Sequence, residues 1–439
     1  MVNRLQMILC IASILLFLPT NYASAEAPPP ITLQEGLKIV AEEGRVVKIA
    51  RLNETMAEAD TRMARAGLLP SINAQAAHTS MAHQPAMSLN GQAFNTSDSQ
   101  YYSYSISIQQ ILFDFRGSLS RYEASRMLLE AKKLDTTRIR NALAFEFTLA
   151  FYEFLEAQRL VEAGGKEIER LEAHLRDANH LYKAGVITRN DLLQVQVRLS
   201  DARQKLLSVQ NLKAVRTARI NHLLLRPLNS AFITTEEETA ILPPSGPALN
   251  AVWEEAAKER SEIQIVDRTL QAIDLEMVAQ RSEFLPKFYV RGSNDYMENS
   301  YQRYENNWSL IFSVNVNLFE GGRSMADLQK SKTRKIQLLE QRAKLVDEIM
   351  MELQRYTLDR QDAYARILVN KDAPGQAQEN LRINKKRYEE GEGTATEVLD
   401  AVTLLTIAET NHIRSVYDYR KAEAATHYAT GTDLLKIYK

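Results

Sequence analysis

Three carboxylates follow glycine-containing turns, at positions where they could bind cations or transfer protons. Glu397 and Asp400 lie three residues apart and so share one face of a helix, and Asp191 holds a matching place earlier in the chain. Carboxylates supply hard oxygen ligands to cations, and they act in acid–base catalysis when a suitable partner accompanies them. No histidine, cysteine or serine constellation accompanies these acids. The sequence therefore gives no indication of an enzyme active site.

Cysteine, histidine and charge usage exclude further classes of site. The single cysteine, Cys10, lies in an apolar N-terminal run, so the mature chain has no disulfide or thiolate site. The seven histidines show no metal-ligand spacing. A net charge of −1 lacks the excess of Lys and Arg that marks nucleic-acid binders. We therefore expect no catalysis, no cofactor, no bound metal and no nucleic-acid partner.

The carboxylates belong to a motif that occurs twice, 206 residues apart. Both copies read Tyr-x-x-Gly-x-x-Thr-x-x-acid-apolar-Leu, beginning at Tyr182 and at Tyr388. The glycines, Gly185 and Gly391, end one helix in a left-handed conformation, and the threonine begins the next helix. Each copy therefore predicts a tight turn between two antiparallel helices. We call these two turns the tips.

The same offset extends upstream and indicates an internal duplication. Residues 107–109 align with residues 313–315, again 206 positions apart. An unbroken register of this length predicts one elongated body built from two similar halves. The expected halves are 26–247 and 248–439, joined by an irregular, proline-rich and acidic linker.

The N-terminal 25 residues have the features of a secretory signal. A basic start at Arg4 precedes an apolar run, and Ala23-Ser24-Ala25 forms a cleavage site before Glu26. No later segment approaches the twenty consecutive apolar residues of a membrane helix. The sequence predicts an exported protein that helices do not anchor.

Two regions change from the helical period to a period of two, which predicts β-hairpins over 70–113 and 286–319. From Trp308 to Leu318, apolar side chains alternate with Ser and Asn, with Ile311 the exception. Eleven residues suffice for a tilted strand to cross a bilayer, and aromatic residues cluster at both strand ends, as in interfacial girdles. Four strands cannot close a barrel and open edges cannot exist in lipid, so several chains must share one barrel.

Long helices are expected in most of the remaining chain. A capping box at Thr32–Glu35 begins a helix that should continue to about residue 67, and a further helix should span about 249–283. The helix over 118–182 is expected to be interrupted softly at Gly164–Gly165, and the helix over 322–388 to break at Pro374–Gly375. We interpret these two features as bends at one level of the structure. Coiled-coil spacing on both sides of the tips indicates helix packing.

The order helix, hairpin, helix, turn, helix, repeated once behind a signal peptide, resembles the TolC family of outer-membrane efflux proteins. The features that carry the resemblance are the Leu-Pro junctions, the Leu-Phe-acid segments followed by Gly, and the two tips (69–70, 285–286, 112–117, 318–322, 182–193 and 388–399). The resemblance implies a mainly α fold with a small transmembrane β part. Long antiparallel coiled-coil helices would form a periplasmic α-barrel, and each protomer of a homotrimer would contribute four strands to a shared twelve-stranded β-barrel.

The resemblance also implies partners and a location. The protein would lie in the outer membrane of a Gram-negative bacterium, in contact with its lipid, and extend into the periplasm. It would passively conduct substrates from a periplasmic adaptor protein and an inner-membrane RND or ABC transporter. The tip residues Gly185, Val186, Ile187 and Gly391 would contact the adaptor.

Four residues match the family's periplasmic aperture by position. Tyr388 corresponds to the tyrosine of the closing network, and Asp191 to its aspartate partner. Glu397 and Asp400 correspond to two aspartates that line the aperture. One departure concerns the closed state: Gly393 stands where drug-efflux members often carry an arginine, and Arg189 on the other tip is an alternative source of that charge.

Two further functions remain alternatives to an exit duct. A secreted coiled-coil scaffold or adhesin would place the hairpins in water, but it has no need for an apolar band with aromatic ends. An enzyme is disfavoured by the lack of a catalytic constellation. The cargo stays open between drugs, metal ions and secreted polypeptides.

Overall fold

The computed structural model describes residues 30–235, 241, 243 and 249–438. The predicted signal peptide and most of the linker between the halves lie outside these residues. The described chain is mostly helical with few strands. Its helices are α1 (Leu33–Glu43), α2 (Arg45–Ala66), α3 (Gly117–Lys183), α4 (Arg189–Leu223), α5 (Leu249–Glu259), α6 (Ser261–Ser282), α7 (Arg323–Asn370), α8 (Ala373–Glu389), α9 (Ala395–Ala429) and α10 (Leu434–Ile437). Its strands are β1 (Ser71–Ser80), β2 (Ala86–Leu89), β3 (Gln92–Asn95), β4 (Gln100–Phe113), β5 (Lys287–Met297) and β6 (Asn306–Asn315).

The predicted capping box at the start of α1 is confirmed, since the Thr32 side chain and the Glu35 side chain each accept from the other's backbone N–H. The predicted single helix is wrong, because the chain breaks at Gly44 between α1 and α2. A Cβ at Gly44 would lie 2.5 Å from the backbone carbonyl oxygen of Val40 and 2.7 Å from Cδ2 of Leu143 on α3, so both the local backbone and the approach of α3 favour glycine here. The helix predicted over 249–283 is broken in the same way at Arg260, between α5 and α6.

Four strands form one antiparallel sheet in the order β1, β4, β5, β6, and β2 and β3 form a separate small hairpin. The pairing of β4 with β5 joins the two predicted hairpins into one sheet. The prediction that β6 continues to Leu318 is wrong, because the ladder ends at the pair Lys287–Asn315. Pro286 precedes Lys287 and has no backbone N–H with which to extend the ladder.

The long helix α3 has 67 residues and at about 1.5 Å per residue extends roughly 100 Å. The interruption predicted at Gly164–Gly165 is wrong, because α3 continues through both glycines. Glycine keeps its backbone N–H, and a Cβ at Gly164 would lie 3.1 Å from Cδ1 of Leu206 on α4, so the glycine accommodates packing. The break predicted near Pro374 is confirmed, since α7 ends at Asn370 and proline stands in the first turn of α8.

Two large hydrophobic clusters lie between the described helices. One surrounds Phe147, Phe151 and Phe154 of α3 and includes residues of α1, α4, α9 and α10. The other lies beside the tips and contains Leu171 of α3, Val195 of α4 and residues of α8 and α9. The second cluster positions both tips relative to each other. Within the described ranges, no helix combines the length and apolar character needed to span a bilayer.

Candidate functional site

The sheet has a mainly apolar and a mainly polar face, with Asn294 and Ile311 as exceptions, and the strand register aligns these faces across the four strands. Ile72, Ile108, Gly292 and Leu310 form one row of paired residues. Ile108 and Leu310 are 46% and 56% exposed, so this apolar row has no core to cover it. Because a large exposed apolar surface is unfavourable in water, the row requires an apolar environment.

The neighbouring row is polar and consists of Asn73, Ser107, Ser293 and Ser309. Its members are small, and the hydroxyl oxygens of Ser293 and Ser309 lie 2.9 Å apart, in a hydrogen bond. Side chains of successive strand residues point to opposite faces. The sheet therefore has a polar side opposite its apolar side.

Aromatic side chains stand at both ends of the sheet. At the loop end, the rings of Tyr104 and Tyr296 lie 6.1 Å apart. At the helix end, Phe113 contacts Phe115 and Phe288, with ring centroids 4.7 Å and 6.3 Å apart. Amphipathic tyrosines at one end and phenylalanines at the other are typical of strands that end at membrane interfaces.

The first tip has the hydrogen bonds of a Schellman motif. The N–H of Gly185 donates to the carbonyl of Tyr182 at 3.0 Å, and the N–H of Val186 donates to the carbonyl of Leu181 at 2.9 Å. The φ of Gly185 is +75°, which confirms the predicted left-handed conformation. Val186 is 59% exposed, whereas Ile187 packs partly against the cluster beside the tips.

The second tip repeats this geometry. The N–H of Gly391 donates to the carbonyl of Tyr388 at 3.1 Å, and the N–H of Glu392 donates to the carbonyl of Arg387 at 2.8 Å. The φ of Gly391 is +78°, again as predicted. Nothing lies within 4 Å of a Cβ built on either tip glycine, so the open side of each turn is free within the described chain.

Two of the candidate aperture acids form capping boxes. The carboxylate of Asp191 accepts from the backbone N–H of Thr188 at 3.0 Å and from its hydroxyl at 2.8 Å. The carboxylate of Glu397 accepts from the N–H of Thr394 at 3.3 Å. Sequence reasoning missed this role, although Thr-x-x-acid before an apolar run is the signature of a capping box. Asp400 is exposed one turn further along α9.

Gly393 lies in a confined part of the second tip. A Cβ at Gly393 would lie 3.1 Å from the backbone nitrogen of Tyr388 and 3.2 Å from Oε2 of Glu397. Arg387 is a cation near this position: its guanidinium lies 3.5 Å from the Glu397 carboxylate and donates to the carbonyl of Glu392 at 3.2 Å. Arg189 is exposed on the other tip.

Tyr388 is 2% exposed and packs against His174 of α3, with ring centroids 5.0 Å apart in an edge-to-face arrangement. Among the described residues its hydroxyl has no hydrogen-bond partner, so the structure does not bring Tyr388 and Asp191 into a direct hydrogen bond. Burial raises the pKa of Tyr388, and the nearby carboxylates of Asp191 and Asp177 raise it further. His174 was not singled out from the sequence, because no local pattern distinguishes a buried histidine.

Metal-ligating side chains do not gather elsewhere in the described ranges. No group of three or more His, Cys, Asp or Glu there is arranged to hold a metal ion.

Comparisons with known proteins agree with this arrangement of exposed sheet and helix tips. The family described as outer membrane efflux protein matches residues 40–224 and 252–432. The alkaline protease secretion protein AprF of Pseudomonas aeruginosa is 23% identical over 344 residues, which cover 76% of this chain and 71% of AprF. The toluene efflux pump outer membrane protein TtgC of Pseudomonas putida is 22% identical over 384 residues, which cover 84% of this chain and 76% of TtgC.

Solved structures show the same fold. The outer membrane protein VceC of Vibrio cholerae superposes with a TM-score of 0.80 at 16% identity, covering 91% of this chain and 96% of VceC. The open state of the MtrE outer membrane channel of Neisseria gonorrhoeae gives a TM-score of 0.73 at 18% identity, covering 92% of this chain and 89% of MtrE.

Proposed function

The chain belongs to the outer membrane efflux protein family, and we propose that it is the exit duct of a tripartite export system. It acts in the outer membrane, where efflux and secretion proteins of the family carry out transport. In the proposed system, substrates pass from an inner-membrane RND or ABC transporter, through a periplasmic adaptor protein, into the duct and out of the cell. The duct conducts passively and performs no catalysis.

The observation that carries this proposal is the sheet whose apolar face is uncovered. Leu310 and Ile108 project from one face, while Ser309 and Ser107 occupy the other. A sheet with apolar residues towards lipid and polar residues towards a lumen is the wall of a membrane β-barrel. A water-soluble scaffold or adhesin would leave this apolar face in water, which disfavours that alternative.

The four strands of one chain leave two open edges, at β1 and β6. Unpaired edge N–H and C=O groups are too unfavourable in lipid, so copies of the chain must pair edge to edge. We propose a homotrimer with a shared barrel of twelve strands. In this proposal the long helices below the sheet form the periplasmic tunnel, and the tips stand at its far end.

The proposed halves, 26–247 and 248–439, are two structural repeats. The helix breaks at Gly44 and Arg260 support this, because they are 216 residues apart. The Leu-Pro junctions before β1 and β5 have the same separation. The two tips share one set of Schellman hydrogen bonds and capping boxes.

We assign the tips to adaptor binding and the start of α9 to the aperture. Gly185, Val186, Ile187 and Gly391 present the exposed turns to the adaptor. In a trimer, Glu397 and Asp400 would form a ring of carboxylates at the constriction, with Asp191 nearby, and Tyr388 would help to keep the tips packed. Such a ring attracts cations and repels anions.

The assembly is tested with protein extracted in detergent and reconstituted into planar bilayers. We expect a trimer by light scattering corrected for bound detergent, and discrete conductance steps in the bilayer. A monodisperse monomer, or a trimer that never conducts, would contradict the proposed duct.

The aperture is tested in the same bilayers with a trivalent cation added at the tip side. We expect block of the wild-type current and loss of block in Glu397→Gln/Asp400→Asn, since Gln retains the capping box. Glu389→Gln, which removes an exposed carboxylate of α8, serves as the matched control and should keep the block. Equal block in all three proteins would place these acids away from the lumen.

A further inference from the structure

Two buried polar side chains without hydrogen-bond partners face each other between the helix hairpins. His174 on α3 is 3% exposed, and neither of its ring nitrogens has a partner among the described residues. The Tyr388 hydroxyl on α8 is likewise unpartnered, and the two rings are in edge-to-face contact at 5.0 Å. Because buried polar groups are nearly always hydrogen-bonded, this pair calls for a reason beyond packing.

The charged and titratable groups around this pair come from α3, α4 and α8, and α9 contributes backbone. On α3, Asp177 follows His174 by one turn, and its carboxylate lies 3.6 Å from Nζ of Lys385 on α8. The Asp191 carboxylate on α4 acts on Tyr388, and the backbone of Ala395 on α9 approaches the imidazole. The Asp177–Lys385 pair is partly exposed and crosses from the first hairpin to the second beside His174, and Lys385 also lies 3.7 Å from the carboxylate of Glu389.

The imidazole is held neutral while the helices stay packed. Burial lowers the pKa of His174, and the positive charge of Lys385 lowers it further, against the opposing effects of Ala395 and Asp177. A proton on the ring would therefore be a buried charge that the backbone of Ala395 and the carboxylate of Asp177 compensate only in part.

We propose that His174 is a proton-sensitive latch between the two hairpins, so that acidification on the periplasmic side opens the tips. This rests on the proposed function as a duct. Once protonated, the ring attracts Asp177 on its own helix and draws it away from Lys385. The ion pair between α3 and α8 is then lost, the charged ring requires water, and the packing around Tyr388 separates.

The direction of the effect follows from linkage. The pKa of His174 is lower in the packed, closed tip than in an open tip where water reaches the ring. Protons therefore bind the open state preferentially. The closed state is favoured fully above the pKa of the open state, and its advantage falls as the pH decreases below that value.

The test is the open fraction of reconstituted trimers in planar bilayers, with the pH at the tip side varied between about 8 and 5.5. This window avoids ordinary carboxyl groups, which titrate near pH 4. Wild type should show a severalfold rise in open fraction as the pH falls. His174→Phe keeps a ring against Tyr388 but binds no proton, so its open fraction should stay constant over the window.

The matched control is His180→Gln, which removes an exposed histidine six residues further along α3 and should keep the wild-type rise. His174→Gln, neutral at every pH, replaces the Phe variant if that variant assembles poorly. The latch would be overturned if His174→Phe showed the same pH-dependent rise in open fraction as wild type, or if wild type showed no rise. In either case, conducting trimers would still support the duct. Loss of all conductance in wild type would overturn the duct and the latch together.

Discussion

Replacing Leu310 by arginine should prevent stable insertion of the sheet, because the side chain lies near the middle of β6 and projects from the apolar face. Its row contains Ile108 and Gly292, and no charged residue in that row could compensate the new cation. Ser309→Arg places the same charge one residue earlier on the polar face. The two variants therefore differ only in the face that carries the charge.

The size of the effect follows from the position of Leu310 in the strand. An arginine facing lipid at mid-membrane costs about 2–4 kcal/mol, falling to roughly 0–1 kcal/mol near the interfaces. Leu310 is the fifth residue of the ten in β6, so the upper range applies. In the proposed trimer three copies change together, which gives a total of about 6–12 kcal/mol.

The assay compares the two variants as folded trimers recovered from outer-membrane fractions and as refolded protein in phospholipid vesicles titrated with denaturant. Leu310→Arg should give little membrane-inserted trimer and a lowered unfolding midpoint, while Ser309→Arg should remain close to wild type. If both variants insert and unfold alike, or if Ser309→Arg is the more damaged of the two, the face assigned to lipid is wrong.

Three further changes test the tips and the helix breaks. Gly391→Val should destabilise the turn by at least about 1–2 kcal/mol, because an L-residue must then adopt φ near +78°. We expect this variant to form trimers in the membrane but to export nothing in a cargo assay. Intact export would show that the turn tolerates distortion. Thr188→Val removes the N-cap side chain of α4 and should destabilise the start of this helix by about 0.5–2 kcal/mol. Amide exchange should become faster in the first turn of α4 and not elsewhere. Arg260→Met removes a buried guanidinium whose partners Glu262 and Glu352 are partly exposed, and it should lower the free energy of unfolding by about 1–3 kcal/mol, measured by thermal unfolding. Arg323→Met, whose ion pair is exposed, should match wild type. Equal melting of the two Met variants would contradict the role given to Arg260.

Much of the fold could be predicted because its rules act between residues close in sequence. A glycine followed by a threonine three residues later predicts the end of one helix and the start of the next, and both tips have that geometry. Alternation along β4 and β6 predicts which side chains share a face, and the exposed Leu310 agrees with it. The same local rules identified the capping box at Thr32.

Other features depended on neighbours far away in the sequence. From residue type alone, Gly164–Gly165 predicts an interruption of α3. The helix continues there, and Leu206 of α4 packs into the space that the missing side chain of Gly164 leaves. The opposite occurs at Gly44, where close approach of Leu143 accompanies a break that the helical pattern concealed. In both cases the outcome depends on a partner helix.

The sequence alone determined where the chain turns, which strand residues share a face and which family the order of elements resembles, because hydrogen bonds and periodicity act within a few residues. Only the tertiary structure decided that His174 and Tyr388 meet, more than 200 residues apart in sequence, and that both are buried without hydrogen-bond partners. Burial and pKa depend on every helix packed against a side chain. A single histidine in a helical sequence therefore carries no sign of its environment until those helices are in place.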